Sequence, residues 1–124
     1  MEFIHAPKAC ASVGPYSHCV KAGSTYYLCG QVPFHPVTGE VVGNGMKEQA
    51  VQTLANMKAV LEAAGLAVTD IAKTTVFVTN MDDFAAFNEV YAAFMGEHRP
   101  ARVCVEVSNI AHGCLLEMDA ICFK

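Results

Sequence analysis

The hydrophobic period of this chain switches several times between two and about 3.6 residues, and that switching constrains the fold more than any other feature. From Met46 to Ala64 the apolar residues recur at spacings of three and four, which predicts a helix that Gly65 ends. A second helix is predicted from about Asp82 to Met95, with Gly96 after it. Runs of β-branched, aromatic or alternating residues predict strands. The predicted strands are His18 to Ala22, Thr25 to Gln31, Ile71 to Val78, Ala101 to Val107 and Leu115 to Phe123.

The order β-β-α-β-α-β-β predicts an α+β domain in which two helices cover one face of a single sheet. At 124 residues the chain is long enough for one compact domain, residues 1–124. Only 16% of the residues are charged, against about 25% in typical soluble domains, while 53% are apolar. Such a composition leaves apolar patches on the surface, and we therefore expect a homo-oligomer.

Charge and patterning exclude several kinds of partner. The net charge is −4 and the eight basic residues are dispersed, so a nucleic-acid partner is not expected. No stretch approaches the roughly 18 apolar residues that a membrane span needs. Glu2, His5 and Lys8 interrupt any apolar region of a signal peptide, which predicts a cytoplasmic protein.

The six cysteines and five histidines give no sign of a metal site or a disulfide framework. No Cys-x-x-Cys is present, and the histidines lack paired ligand spacing, so we predict no metal. Three disulfides are not expected either, because the core is large enough without them and no secretory signal is present.

The strand from Ala101 to Val107 alternates strictly, which assigns its side chains to two faces. We expect the valine face to pack on the helices, and the polar face, with Glu117 beside it, to point away from them. Alternation alone favours a solvated polar face over a cleft or a subunit interface. The valine face comprises Val103, Val105 and Val107, and the polar face comprises Arg102, Cys104 and Glu106, joined by Glu117 and Asp119.

Arg102 and Glu117 are the two candidates for chemistry on this polar face. The guanidinium of Arg102 matches a carboxylate in a bidentate way, and an internal salt bridge to Glu106 or Glu117 is an equal alternative. Partial burial between Leu116 and Met118 would raise the pKa of Glu117 and suit acid/base work, whereas an exposed strand glutamate would do nothing.

Several short motifs, in order along nearly the whole chain, resemble the signature of one protein family. The most specific is Pro100-Ala101-Arg102-Val103-Cys104-Val105-Glu106-Val107 followed by Leu116-Glu117-Met118. In this order and spacing the motifs resemble the RidA/YjgF/Rid family of enamine and imine deaminases. The other motifs are Gly14-Pro15-Tyr16-Ser17, Gly30-Gln31-Val32-Pro33, Thr38-Gly39-Glu40, Asn56 to Gly65, Lys73 to Val78 and Asp83 to Tyr91.

The resemblance implies a chorismate-mutase-like fold with a single mixed sheet, assembled as a homotrimer with active sites in clefts between subunits. It implies hydrolysis of 2-aminoacrylate and related enamines or imines, such as 2-iminobutanoate and 2-iminopropanoate, to 2-keto acids and ammonia. Pyridoxal-phosphate enzymes would release these substrates, and the deaminase itself would need no cofactor.

The resemblance also implies roles for single residues. Arg102 would bind the substrate carboxylate, Glu117 would orient or activate the water, and Tyr16 would close the pocket or assist proton movement. A nucleophilic role for Cys104 is not expected, because no histidine accompanies it at a recognisable spacing. The remaining substrate-binding residues would be Gly30, Cys29, Asn88 and Cys104.

Two positions depart from the family pattern and leave substrate size and preference open. Cys29 stands where the family usually has serine, and Arg99, in a short loop ahead of Pro100, stands where many members have an aromatic residue. Arg99 would add a second positive charge near the pocket. A non-catalytic trimeric module that binds 2-keto acids through Arg102 is the alternative function. A ribonuclease fits poorly, because the chain is acidic.

Overall fold

The computed structural model describes residues 1–124 as one six-stranded sheet with two helices. The strands are β1 (Glu2–Ile4), β2 (Cys19–Ala22), β3 (Thr25–Gln31), β4 (Ile71–Val78), β5 (Ala101–Glu106) and β6 (Leu116–Phe123). The helices are α1 (Met46–Ala63) and α2 (Phe84–Met95). Every predicted helix and strand is therefore present, with boundaries that shift by at most two residues. No helix is both long enough and apolar enough to cross a membrane.

The strands lie in the order β1-β2-β3-β6-β4-β5, and only β4 and β5 run parallel. The parallel pair follows from α2, which carries the chain back along the sheet between the two strands. Both helices pack on one face, where they bury the large core with the alternate residues of β4 and β6. The prediction of a single mixed sheet with two helices on one face is confirmed.

The residues at the end of α1 and ahead of α2 explain where the two helices end and begin. Gly65 adopts a φ of +71°, and the Leu66 N–H donates to the carbonyl oxygen of Leu61 at 2.8 Å, which closes α1. α2 begins at Phe84, two residues later than predicted. The side chain of Asn80 accepts a bond from the Asp82 N–H, and the turn Met81–Asp83 winds as a 3-10 helix first.

Strand β1 was not predicted. It pairs with β2 at the edge of the sheet, where Phe3 lies opposite Val20. Three residues are too few for a hydrophobic period to be read, and the strand is held by backbone pairing rather than by a buried face.

The predicted orientation of β5 is wrong. Arg102 lies beside Thr74 of β4, and Cys104 lies beside Val76, and both of these β4 side chains are fully buried under the helices. Neighbours in register share a face, so Arg102 and Cys104 point towards the helices and the valines point away. The pairing of β5 with β4, and not the apolarity of one side of the strand, decides which side meets the helices.

The face of the sheet opposite the helices, hereafter the helix-free face, is rich in exposed apolar side chains. Val103 is 44% exposed and Val105 is 41% exposed, and the side chains of Tyr27 and Phe123 are more exposed still. Near Phe77 this face is covered by a small second apolar cluster built from Phe34, Ile110 and Cys114. The remainder is uncovered in a single chain.

Candidate active site

Glu117 lies on the helix-free face, in β6, at the floor of a cavity of about 80 Å³ (the Glu117 cavity). Gly30 of β3 stands directly against it, because a Cβ atom built on Gly30 would come within 3.0 Å of the Glu117 Cδ atom. The carboxyl group therefore occupies space that only a glycine leaves open. Burial raises the pKa of Glu117, and the negative charge of Asp119 raises it further.

Cys29 lines the same cavity beside Glu117. Its Sγ accepts a hydrogen bond from Nε2 of the buried Gln31 at 3.1 Å. Burial raises the pKa of the Cys29 thiol to about 11, and the bond from Gln31 opposes this only in part. The thiol therefore stays protonated at neutral pH and is a poor nucleophile.

Tyr16 stands at the mouth of the Glu117 cavity, half exposed. Its hydroxyl oxygen accepts a bond from the Val13 N–H at 3.3 Å, which ties the ring to its own loop. The phenol O–H remains able to donate to a group inside the cavity.

His18 fixes the loop that carries Tyr16, and sequence analysis missed it. The Ala6 N–H donates to its Nδ1 atom at 3.0 Å, so the ring proton sits on Nε2, which donates to the carbonyl oxygen of Cys10 at 2.8 Å. These partners are 12 and 8 residues away in the chain. No local spacing reveals such a bond.

Arg102 is held on the helix side of the sheet by α2. Its Nη1 donates to Oδ1 of Asn88 at 2.7 Å, and its guanidinium lies 4.8 Å from the Tyr91 ring centre and 5.3 Å from that of Phe84. The Tyr91 hydroxyl shares a bond of 2.8 Å with the buried Thr74 hydroxyl, which holds the ring in place. Two rings and an amide thus fix the guanidinium plane.

The guanidinium of Arg102 has no carboxylate partner. The only ion pairs in the structure are Lys47 with Glu89 and Lys124 with Asp70. Glu106 instead accepts a bond from the Met81 N–H at 2.9 Å, and Glu117 lies on the opposite face. The alternative of an internal salt bridge from Arg102 to Glu106 or Glu117 is therefore wrong.

A second cavity, of about 420 Å³, opens beside Arg102 (the Arg102 cavity). Its wall combines α2 with the loop that enters β5, and it includes Asn88, Tyr91 and Arg99. Cys104 lies further along the same face, where burial raises the pKa of its thiol against the opposing charge of Arg102.

The predicted site residues thus form two separate groups within one chain. Tyr16, Cys29, Gly30 and Glu117 meet in the Glu117 cavity. Arg102 and Asn88 meet in the Arg102 cavity, on the other face of the sheet, and Cys104 lies on that same face. The prediction that Glu117 and Asp119 share the face of Arg102 is wrong. No group of three or more His, Cys, Asp or Glu side chains is placed to hold a metal ion.

Comparison with known proteins identifies the family. The family model described as Endoribonuclease L-PSP matches residues 5–124, relatives that match nearly the whole chain are named RutC family protein, and a solved structure that is 41% identical over the whole chain is named RidA. The chain belongs to the RidA family. A RutC family protein of Pyrococcus horikoshii is 47% identical to it over 123 residues, which cover 99% of this chain and 98% of the relative.

Two further relatives of this RidA-family protein bear on its site. The 2-iminobutanoate/2-iminopropanoate deaminase of Escherichia coli K12 is 45% identical over 124 residues, covering 98% of this chain and 96% of that one. The crystal structure of E. coli TdcF with bound serine superposes with a TM-score of 0.94 at 41% identity, covering 100% of this chain and 99% of that one. These matches confirm the family and the RidA/YjgF-type fold.

Proposed function

We propose that this RidA-family protein hydrolyses imines and enamines of small 2-amino acids, of the 2-aminoacrylate type, to 2-keto acids and ammonia. The observation that carries the proposal is Arg102, a guanidinium fixed by Asn88 and two aromatic rings with no carboxylate of its own. A guanidinium held in this way binds a ligand carboxylate through two parallel N–H donors. The 45% identity to a 2-iminobutanoate/2-iminopropanoate deaminase supports the same substrate class.

In the proposed reaction, Arg102 binds the substrate carboxylate and so fixes the neighbouring imine carbon. Glu117 takes a proton from a water molecule whose oxygen attacks that carbon, and the raised pKa makes its carboxylate a stronger base. The same carboxyl returns this proton to nitrogen, which gives a carbinolamine. The carboxyl then moves the O–H proton of the carbinolamine to nitrogen, so that the C=O bond forms as the C–N bond breaks and ammonia leaves. Water is the only co-reactant, so the proposed reaction requires neither a redox step nor a cofactor.

The other site residues have supporting roles in this proposal. Gly30 leaves room for the Glu117 carboxyl, and Cys29 and Cys104 line the substrate pocket as neutral thiols. Asn88 orients Arg102. Tyr16 closes the pocket over the substrate and donates its O–H to the reacting nitrogen or water.

The reaction needs both cavities in one site, and we propose that a second subunit supplies the missing half. In a homotrimer, the Arg102 cavity of one subunit would face the Glu117 cavity of its neighbour. The exposed Val103 and Val105 side chains support a contact across the helix-free face, because a monomer rarely leaves such a patch in water.

The test is a coupled assay with the intact protein. A pyridoxal-phosphate enzyme acting on serine generates 2-aminoacrylate, and the rate of pyruvate formation is followed with and without this protein. We expect acceleration in the wild type, none in Arg102→Ala, and full acceleration in the matched control Lys58→Ala, whose side chain lies in neither cavity.

Two results would overturn the proposal. If the wild type gives no acceleration while a 2-keto acid still raises its melting temperature through Arg102, the protein is a binding module and not a deaminase. A monomer in light scattering that nevertheless accelerates the reaction would exclude the shared site.

A further inference from the structure

The chain contains only two arginines, and both line the Arg102 cavity. Arg99 enters this cavity from the loop after α2, and Pro100 restricts the backbone between it and β5. The Nη1 atom of Arg99 donates to the carbonyl oxygens of Gly96 at 2.6 Å and His98 at 2.8 Å. The side chain is thus anchored at the C-terminal end of α2.

These two bonds leave other N–H donors of the Arg99 guanidinium without a partner. A guanidinium has five N–H donors, and the donors on Nε and Nη2 of Arg99 have no partner in the protein. Arg99 also makes no ion pair. The two bonds through Nη1 therefore hold the unpaired N–H groups of Nε and Nη2 at the wall of the cavity.

The charge of the cavity is opposite to that of the whole molecule. The net charge of the chain is −4, yet no Asp or Glu lines the Arg102 cavity, whose only charged residues are Arg99 and Arg102. Two fixed positive charges in one concave site attract anions, and most strongly those with two negative groups. The volume of about 420 Å³ admits a ligand longer than a three-carbon acid.

We propose that this site prefers dicarboxylates, so that its favoured substrates are imines of acidic 2-amino acids. Arg102 binds the carboxylate next to the imine carbon, as in the proposed function on which this inference rests, and Arg99 binds the distal carboxylate. The chemistry is unchanged: water adds to the C=N bond, the C–N bond breaks, and a 2-keto dicarboxylate and ammonia leave.

The test compares two five-carbon keto acids that differ only at the distal end. Binding of 2-oxoglutarate and of 2-oxopentanoate to the intact protein is measured by isothermal titration calorimetry. We expect about five- to tenfold tighter binding of 2-oxoglutarate, the effect of one partly exposed charge-assisted contact. Arg99→Gln, which can still donate to the carbonyl oxygens of Gly96 and His98, weakens the binding of 2-oxoglutarate more than that of 2-oxopentanoate and so removes the preference, whereas Arg99→Lys keeps part of it.

The control Lys58→Gln removes a positive charge outside the cavity and leaves the preference intact. Equal affinity of the wild type for the two acids, or a preference that survives in Arg99→Gln, would overturn the inference.

Turnover separates this inference from the proposed function. Hydrolysis of 2-iminoglutarate, generated by a glutamate oxidase and followed by loss of semicarbazide trapping, is expected to be faster than hydrolysis of a neutral imine at equal concentration. An Arg99-dependent binding preference without any imine hydrolysis would contradict the proposed deaminase activity and support the dicarboxylate site. Hydrolysis of 2-aminoacrylate with no preference for dicarboxylates would support the deaminase activity and contradict the dicarboxylate site.

Discussion

Arg102 and Glu117 occupy opposite faces of one sheet, because β4 aligns Arg102 with the buried Thr74 and Glu117 with Phe77 on the helix-free face. The separation is fixed by backbone hydrogen bonds, and no side-chain rotation brings the two groups together. A guanidinium that binds a carboxylate and a carboxyl that activates water can therefore act on one small molecule only if different subunits supply them.

Subunit mixing makes this relationship testable. Arg102→Ala and Glu117→Gln are each expected to be inactive alone. When the two variants are unfolded and refolded together, random assembly places an intact Arg102 opposite an intact Glu117 in about one site in four, half for each residue. We expect about a quarter of the wild-type imine hydrolysis to return. A mixture as inactive as its components would show that the site does not span two subunits.

Asn88 holds Arg102 through a neutral oxygen, and Asn88→Asp replaces that oxygen with a charged one at the same 2.7 Å distance. The new carboxylate forms an ion pair with the guanidinium of Arg102 and competes with the carboxylate of the ligand. We therefore expect the affinity for keto acids to fall about tenfold while the melting temperature stays the same or rises. Titration calorimetry and thermal unfolding measure the two effects. Asn88→Ala is the matched control and should weaken binding less, and wild-type affinity in Asn88→Asp would contradict the role of Arg102.

Gly30 is required by the position of Glu117. The Cβ atom of Gly30→Ala would lie 3.0 Å from Cδ and 3.1 Å from Oε1 of Glu117, so the carboxyl must move. We expect kcat/KM for imine hydrolysis to fall about tenfold or more, because small displacements of a catalytic group are costly. Gly45→Ala is the control, since its Cβ would meet nothing within 4 Å and its φ of −119° suits alanine. Equal activity of both variants would count against Glu117 as the base.

The sequence predicts the elements of this fold well but not the side of the sheet on which each residue lies. Periodicity gives the bounds of β4 directly and those of α1 to within a residue, because these segments are long and bury one side. Alternation in β5 separates Arg102 from Val103, yet only the pairing with β4 decides which of them meets the helices. That pairing is made by residues far apart in the chain.

The same limit applies to the site. Arg102 and Glu117 stand out as charged residues in apolar strands, and the motifs around them point to a family. The residues that hold the site in place cannot be recognised in the sequence. His18 bonds to Cys10 through its ring, and Gln31 bonds to the sulfur of Cys29 from within a strand. Both are polar residues whose partners appear only after the chain has folded.

The raised pKa of Glu117 predicts how stability changes with pH. A carboxyl whose pKa is higher in the folded state binds more protons folded than unfolded between the two pKa values, so this group lowers the stability as pH rises through that window. Glu117→Gln removes the effect. In urea unfolding the variant should therefore gain stability relative to the wild type as the pH rises above 4.5, the ordinary pKa of this carboxyl, while its imine hydrolysis falls about 10² to 10⁴-fold. A difference between the two proteins that does not grow with pH would mean that the carboxyl is not desolvated.

Cys29 lies beside Glu117, and its thiol distinguishes hydrolysis through water from covalent catalysis. With a pKa of about 11, about one Cys29 thiol in a thousand is ionised at pH 8, so alkylation by iodoacetamide should be far slower than for an ordinary cysteine. Cys29→Ser keeps an acceptor for the Gln31 amide, which lies 3.1 Å from the sulfur. Because the change exchanges one neutral acceptor for another, we expect kcat/KM to stay within about threefold of the wild type. Rates of alkylation at each cysteine by mass spectrometry, together with the hydrolysis assay, provide the measurements. A loss of activity in Cys29→Ser as large as in Glu117→Gln, with rapid alkylation of Cys29, would instead make the thiol the nucleophile and remove Glu117 as the group that activates water.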